Sequence, residues 1–116
     1  TDVLRFKGDY GRLRQMFIII LDNAIKFSSP QRAVNVTLSE EVITICDTGS
    51  GIPETDLPYI FDRFYRAKSP ENTKGSGLGL AIAKQIADRH GITVSVVSEI
   101  DQGTCFAFNF HAPKDI

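Results

Sequence analysis

Apolar side chains recur at steps of three and four through Leu13, Met16, Phe17, Ile20, Leu21, Ala24 and Phe27, the spacing of one face of an α-helix. Asp9 stands just ahead in the position of an N-cap, and Ser28-Ser29-Pro30 ends the pattern. The period then changes to two. Residues 34–38 and 42–46 alternate apolar and polar side chains around Ser39-Glu40-Glu41, which predicts a β-hairpin. Residues 53–66 carry Leu57, Ile60, Phe61 and Phe64 and predict a short helix after a loop. A polar stretch over 68–76, with Pro70 and Gly75, leads into a second long helix over 78–90. That helix has Leu78, Ile82, Ile86 and Ala87 on one face and Gly91 at its C′ position. Two further strands, 93–98 and 105–110, flank an Asp101-Gln102-Gly103 turn. Helix, two strands, irregular segment, helix, two strands is the order of a two-layer α/β sandwich, with helices on one face of a mixed or mainly antiparallel sheet.

Composition changes this picture little. The chain has 116 residues, 42% hydrophobic and 23% charged, which suits one domain with its own core. A net charge of −1 argues against general affinity for nucleic acid or a membrane surface. No apolar run approaches the roughly 20 residues of a transmembrane helix, and no signal-peptide pattern opens the chain. A cytoplasmic setting is expected, with any membrane link made elsewhere. Cys46 and Cys105 lie far apart and outside any C-x-x-C pair or Cys/His ligand set. Both sit in apolar stretches, so buried free thiols in a reducing compartment are expected rather than a disulfide.

Four groups of residues carry chemistry. On the first helix Gln15, Ile19, Asn23 and Lys26 share a stripe, which embeds an amide among apolar neighbours. One reading makes Asn23 a Mg²⁺ ligand through its amide oxygen and Lys26 a phosphate counter-charge. The plainer one makes Asn23 an interior amide bonded to backbone and Lys26 a cation suited to a helix C-terminus. Asp47 ends an apolar strand, and Thr48-Gly49-Ser50-Gly51 lets the backbone turn tightly past it. A carboxylate there can accept from the N6 amine of adenine, and glycines without side chains admit a flat ring. Asp-Thr-Gly-Ser also surrounds the reacting aspartate of aspartic proteases, which at this length need two copies. Those folds are nearly all β, whereas two helical periodicities are present here. Gly75-Ser76-Gly77-Leu78-Gly79-Leu80 is neither a Rossmann fingerprint nor a Walker A loop. It does open a well-patterned helix, whose N–H groups and dipole suit phosphate. In Phe61-Asp62-Arg63-Phe64-Tyr65-Arg66-Ala67-Lys68 the phenylalanines read as core, while Arg66 and Lys68 are free to reach a phosphoryl group. His90 and His111 read as structural, one closing a helix and one following the last strand.

Taken together these segments resemble the ATP-binding domain of histidine kinases. Asn23-Ala24-Ile25-Lys26-Phe27 is similar to its N box, and Asp47 to Pro53 to its first glycine box. Phe61 to Arg66 is similar to its F box, Gly75 to Leu80 to its second glycine box, and Gly103-Thr104-Cys105-Phe106 to its last hairpin. All occur in family order. The resemblance implies the α/β sandwich shared with gyrase, heat-shock chaperone and mismatch-repair ATPases, and ATP with Mg²⁺ as cofactors. It implies that Asn23 ligates Mg²⁺, Lys26 contacts phosphate and Phe27 stands beside the base. Asp47 would read the adenine amine, with Gly49, Gly51 and Ile52 lining the base pocket and Thr104 bonding near Asp47 at its floor. Gly75, Gly77, Leu78 and Gly79 would hold phosphates by backbone, Arg66 would meet the γ-phosphoryl, and residues 53–76 would form a lid. Lys26 and Arg66 are the implied catalytic charges.

Two departures stand out. The family usually has Asn one turn before Asn23, and its hydrolysing relatives have a water-activating Glu there, but Ile19 can act as neither. Phosphotransfer or simple binding is therefore favoured over hydrolysis. The acceptor histidine of the family lies on a separate dimerisation domain, and that domain is not expected within these residues. The implied function is transfer of the γ-phosphoryl of Mg-ATP to a histidine on that domain. The implied partners are the dimerisation domain of the same protein and a response regulator, with a homodimeric whole protein and no nucleic acid or direct membrane contact. A nucleotide-binding regulatory module with little transfer is the alternative, and a dimeric aspartic protease built on Asp47-Thr48-Gly49 a distant one.

Overall fold

The computed structural model describes residues 6–27, 34–62 and 78–110. Among these residues two α-helices pack on one face of a four-stranded sheet, the two-layer sandwich that the periodicity predicts. Helix α1 spans Tyr10–Phe27. Asp9 caps it, its Oδ1 accepting the Arg12 N–H at 3.1 Å. Strands β1 (Asn35–Ser39) and β2 (Val42–Cys46) form the expected hairpin, closed by Glu40 and Glu41, both at positive φ. Two left-handed residues in succession match the right-handed twist of the flanking strands. Helix α2 spans Gly79–Arg89. Gly91, at φ +70°, ends it in a Schellman motif, its N–H bonding the Asp88 carbonyl and that of Ile92 the Ala87 carbonyl. Strands β3 (Thr93–Glu99) and β4 (Gly103–Asn109) complete the sheet in the order β1-β2-β4-β3, every neighbouring pair antiparallel.

Two expectations are corrected. The short helix foreseen over 53–66 is, among the described residues, one 3-10 turn at Leu57–Tyr59. Pro58 withholds a backbone donor and disfavours helical geometry at Leu57, so apolar spacing there serves packing without an α-helix. Ile60 is fully buried and Phe61 meets Phe106 edge-on at 6.2 Å. The free thiols are not found either. Cys46 faces Cys105 directly across β2 and β4, with Cα atoms 4.1 Å apart, and the two form a disulfide. Distance in sequence concealed adjacency in register.

The core lies between sheet and helices. Met16, Ile20 and Ala24 of α1, Ala83, Ile86 and Ala87 of α2, and Ile45, Phe106 and Phe108 of the sheet are buried there. Each fully buried phenylalanine or isoleucine contributes about 1.5–3 kcal/mol. Three contacts set the direction of α1. Phe6, just before it, meets Phe110 at 4.9 Å, Phe17 meets Phe108 at 5.3 Å, and His90, after α2, accepts the Asp9 N–H on Nε2 at 3.0 Å. The His90 Nδ1–H donates to the Ile86 carbonyl at 2.8 Å, so this ring is the structural tie that its position suggests. Thus α1 starts where β4 and α2 end and advances toward the beginning of both.

Candidate functional site

That direction gathers separate parts of the sequence at one end of the sandwich. The loop after β2 is bound to the β3–β4 hairpin at three points. The Asp47 N–H donates to the Thr104 carbonyl at 2.9 Å, the Asp101 N–H to the Ser50 carbonyl at 2.8 Å, and the Ile52 N–H to Ser98 Oγ at 2.7 Å. Two glycines make this approach possible. A Cβ on Gly103, at φ +118°, would strike the Asp47 carbonyl, and one on Gly51, at φ +80°, the Glu99 carbonyl.

Asp47 sits at the centre of this seam, 6% exposed, beside Thr104 at 5%. Its Oδ1 accepts from the Gly49 N–H at 2.9 Å and the Thr104 N–H at 3.2 Å. Burial raises its pKa above the ordinary carboxylate value, and those two backbone donors oppose the rise. Among the described residues both bonds fall on Oδ1, which leaves the second oxygen for another donor. Alternation along the strands turns Ile45 and Phe106 into the core and Cys46 and Cys105 to the opposite face. Asp47 and Thr104 therefore point to the helix side.

The other walls follow. Asn23 is half-buried, one turn beyond Ile19 on the same stripe. A Cβ built on Gly79 would lie 3.3 Å from Ile19 Cγ2, so this stripe faces the first turn of α2. At that turn the N-cap Leu78 gives no side-chain cap and the first turn carries no acidic residue, a helix start suited to an anion. Ile52 packs at the edge of the core. Gly49 is buried and Gly51 half-buried in the seam. Thus Asn23, Asp47, Gly49, Gly51, Ile52, Leu78, Gly79 and Thr104 fall at one end of the fold. Arg66, Gly75, Gly77, Lys68, His111 and the side chains of Lys26 and Phe27 lie outside the described residues, as does most of the expected lid.

Ser98 was not anticipated. Its Oγ accepts from Ile52, donates to the Gly103 carbonyl at 3.1 Å and lies 2.8 Å from Thr104 Oγ1. The one signal in the sequence is a serine at an inward position of a strand, and only the register opposite Thr104 gives it meaning. No group of three or more His, Cys, Asp or Glu side chains among the described residues makes a cation cage.

A compact α/β sandwich with a buried carboxylate, an amide and an open helix start at one end is the architecture of an ATP-binding module. The family of histidine kinase-, DNA gyrase B- and HSP90-like ATPases matches residues 8–115, and the chain belongs to it. It is similar to the sensor histidine kinase YkoH of Bacillus subtilis, 45% identical over 92% of the chain and 24% of the relative. ArlS of Staphylococcus aureus, a signal transduction histidine-protein kinase, is 41% identical over 92% of the chain and 25% of the relative. Among solved structures, the mycobacterial sensor histidine kinase MprB superposes with a TM-score of 0.78 at 33% identity, over 89% of this chain and 74% of that one. Full-length ShkA in complex with AMPPNP superposes with a TM-score of 0.68 at 31% identity, over 87% of this chain and 21% of that one. The chain spans about a quarter of the length of these two curated relatives. The nearly all-β fold that an aspartic protease needs is not the one found.

Proposed function

We propose that this chain is the ATP-binding catalytic domain of a sensor histidine kinase. It binds Mg-ATP and passes the γ-phosphoryl to a histidine on a dimerisation domain of the same protein, for relay to a response regulator. The whole protein works as a homodimer, with this domain in the cytoplasm. No helix among the described residues is long and apolar enough to cross a membrane. The observation that carries the reading is the buried Asp47 carboxylate. It is held on one oxygen by two backbone donors, at the end of the fold where the Asn23 stripe meets the start of α2.

Each residue then has a task. Asp47 accepts the N6 amine of adenine, Thr104 and Ser98 fix the floor, and Gly49, Gly51 and Ile52 make room for the ring. Phe27 stands beside the base. Gly75, Gly77, Leu78 and Gly79 offer backbone N–H groups to the phosphates, and Lys26 and Arg66 neutralise charge as the γ-phosphoryl leaves. The attacking imidazole nitrogen forms a bond to phosphorus as the bond to the β-phosphate oxygen breaks and ADP departs. One amide donor, with no carboxylate cage among the described residues, would suit Mg²⁺, which keeps waters and shares its shell with substrate phosphates. Asn23 is that donor, and the ion supplies charge neutralisation.

Ile19 favours a second reading. Packed toward Gly79, it offers no metal donor one turn before Asn23, as in a module that binds nucleotide and transfers little. Labelled ATP mixed with this chain and its own dimerisation domain separates the two. Label on the acceptor histidine supports the kinase. Nucleotide binding without label overturns the kinase in favour of the module.

A further inference from the structure

The two half-buried cysteines bracket the nucleotide seam, one residue from each of its principal groups. Cys46 precedes Asp47 and Cys105 follows Thr104, and the disulfide joins β2 and β4 beside the Asp47–Thr104 backbone bond. The sulfurs lie on the sheet face turned away from the helices, whereas Asp47 and Thr104 face inward. Small or exposed side chains flank the pair in register. Asn35 stands beside Cys46, Val97, 73% exposed, beside Cys105, and Thr44 and Ala107 occupy the next outward row. A small thiol or disulfide therefore reaches the sulfurs without opening the core.

We propose that Cys46 and Cys105 form a reversible oxidation site that sets nucleotide affinity through Asp47 and Thr104. This rests on the adenine-nucleotide reading of the seam. The oxidant is a low-molecular-weight disulfide. One cysteine thiolate attacks it, forming a mixed disulfide and releasing one small thiolate. The second cysteine attacks the protein sulfur of that adduct, closes the Cys46–Cys105 bond and expels the other small thiolate. Two electrons pass from the protein thiols to the small disulfide, and the two protein protons end on the two small thiols.

Only the oxidised state ties the strand ends that carry Asp47 and the Thr104 N–H. The carboxylate is then held ready before ligand arrives, and binding does not have to order it. Reduction removes the covalent tie and leaves the seam to its hydrogen bonds. An effect of about tenfold on affinity lies within the usual range of coupling between sites. Coupling is reciprocal, so saturating nucleotide must favour the disulfide by the same factor. For a two-electron couple, tenfold corresponds to about 30 mV.

The test titrates the wild-type chain with a non-hydrolysable ATP analogue in a calorimeter, after oxidised glutathione and again after full reduction. The expected result is binding about tenfold weaker in the reduced protein. Cys105→Ser should bind at the reduced level under both conditions. If that variant does not fold, the wild-type disulfide equilibrium against glutathione, measured with and without analogue, gives the same answer. Equal affinities, or an equilibrium that ignores the analogue, overturn the coupling and leave the nucleotide site standing. Two titratable thiols remaining after oxidised glutathione also overturn it. Absence of binding in both states overturns the site itself and this inference with it.

Discussion

Replacing Asp47 by asparagine separates the recognition role of this side chain from its cost to the fold. Gly49 and Thr104 both donate to Oδ1, at 2.9 and 3.2 Å. An asparagine that keeps those two bonds on its oxygen must present Nδ2 where the second carboxylate oxygen stood. Adenine N6 then meets a donor in place of a charged acceptor. A hydrogen bond to a charged group is worth about 1.5–3 kcal/mol, so ATP should bind between about tenfold and 150-fold more weakly. Guanine carries a carbonyl oxygen at the same ring position, and that oxygen accepts from Nδ2. GTP should therefore hold its affinity or gain. Calorimetric titration of both nucleotides, read as a ratio, checks this. The fold should respond in the opposite sense. Because burial raises the folded-state pKa of Asp47, the native protein holds that proton more tightly than the unfolded chain does. The carboxylate thus lowers stability progressively as pH rises from its ordinary value through the raised one, and the cost is complete above that. Asp47→Asn removes the cost, so at pH 7 the variant should resist urea at least as well as wild type. Equal losses for ATP and GTP, or easier unfolding at pH 7, would refute the assignment.

Asn23→Ala should leave the chain folded and remove the Mg²⁺ dependence of ATP binding, measured by titration with and without the ion. Gly103→Ala should destabilise by at least about 2 kcal/mol, since the new methyl meets the Asp47 carbonyl at a positive φ. Its urea midpoint should fall, and nucleotide affinity with it. His90→Ala deletes the bond that joins the start of α1 to the end of α2, together with the bond to the Ile86 carbonyl that holds the ring in place. It should cost about 1–3 kcal/mol in urea unfolding with little change in nucleotide affinity, because the tie lies at the far end of the sandwich. Ser98→Ala leaves the Ile52 N–H without its acceptor and should weaken ATP and GTP alike, in contrast to Asp47→Asn.

What the sequence discloses and what it withholds divides along the reach of each signal. Helices and hairpins are local, so period 3.6 located α1 and α2, period 2 located β1 and β2, the turn at Asp101-Gln102-Gly103 located β3 and β4, and Gly91 marked a helix end it does terminate. Asp9, read as a cap, caps. The helix expected after Pro53 is not found because hydrophobic spacing reports burial, which Ile60 achieves fully and Phe61 in part, while Pro58 decides that the backbone cannot use it as an α-helix. The site was visible residue by residue as an acid, an amide and a glycine-rich helix start. Their common location was implied only by the family resemblance, since the residue patterns do not show α1 running back along β4, as the contacts of Phe6, Phe17 and His90 do. Register is the least local quantity of all. Pairing β2 with β4 makes neighbours of two cysteines 59 positions apart, and pairing β3 with β4 sets Ser98 against Thr104. A shift of β2 against β4 by a single residue would turn Thr104 from Asp47 and part the sulfurs, and a shift of β3 against β4 would turn Ser98 from Thr104, because side chains alternate faces. The β2–β4 pairing therefore creates both the buried contact of Asp47 with Thr104 and the cysteine pair behind it, and a change that disturbs one is felt by the other.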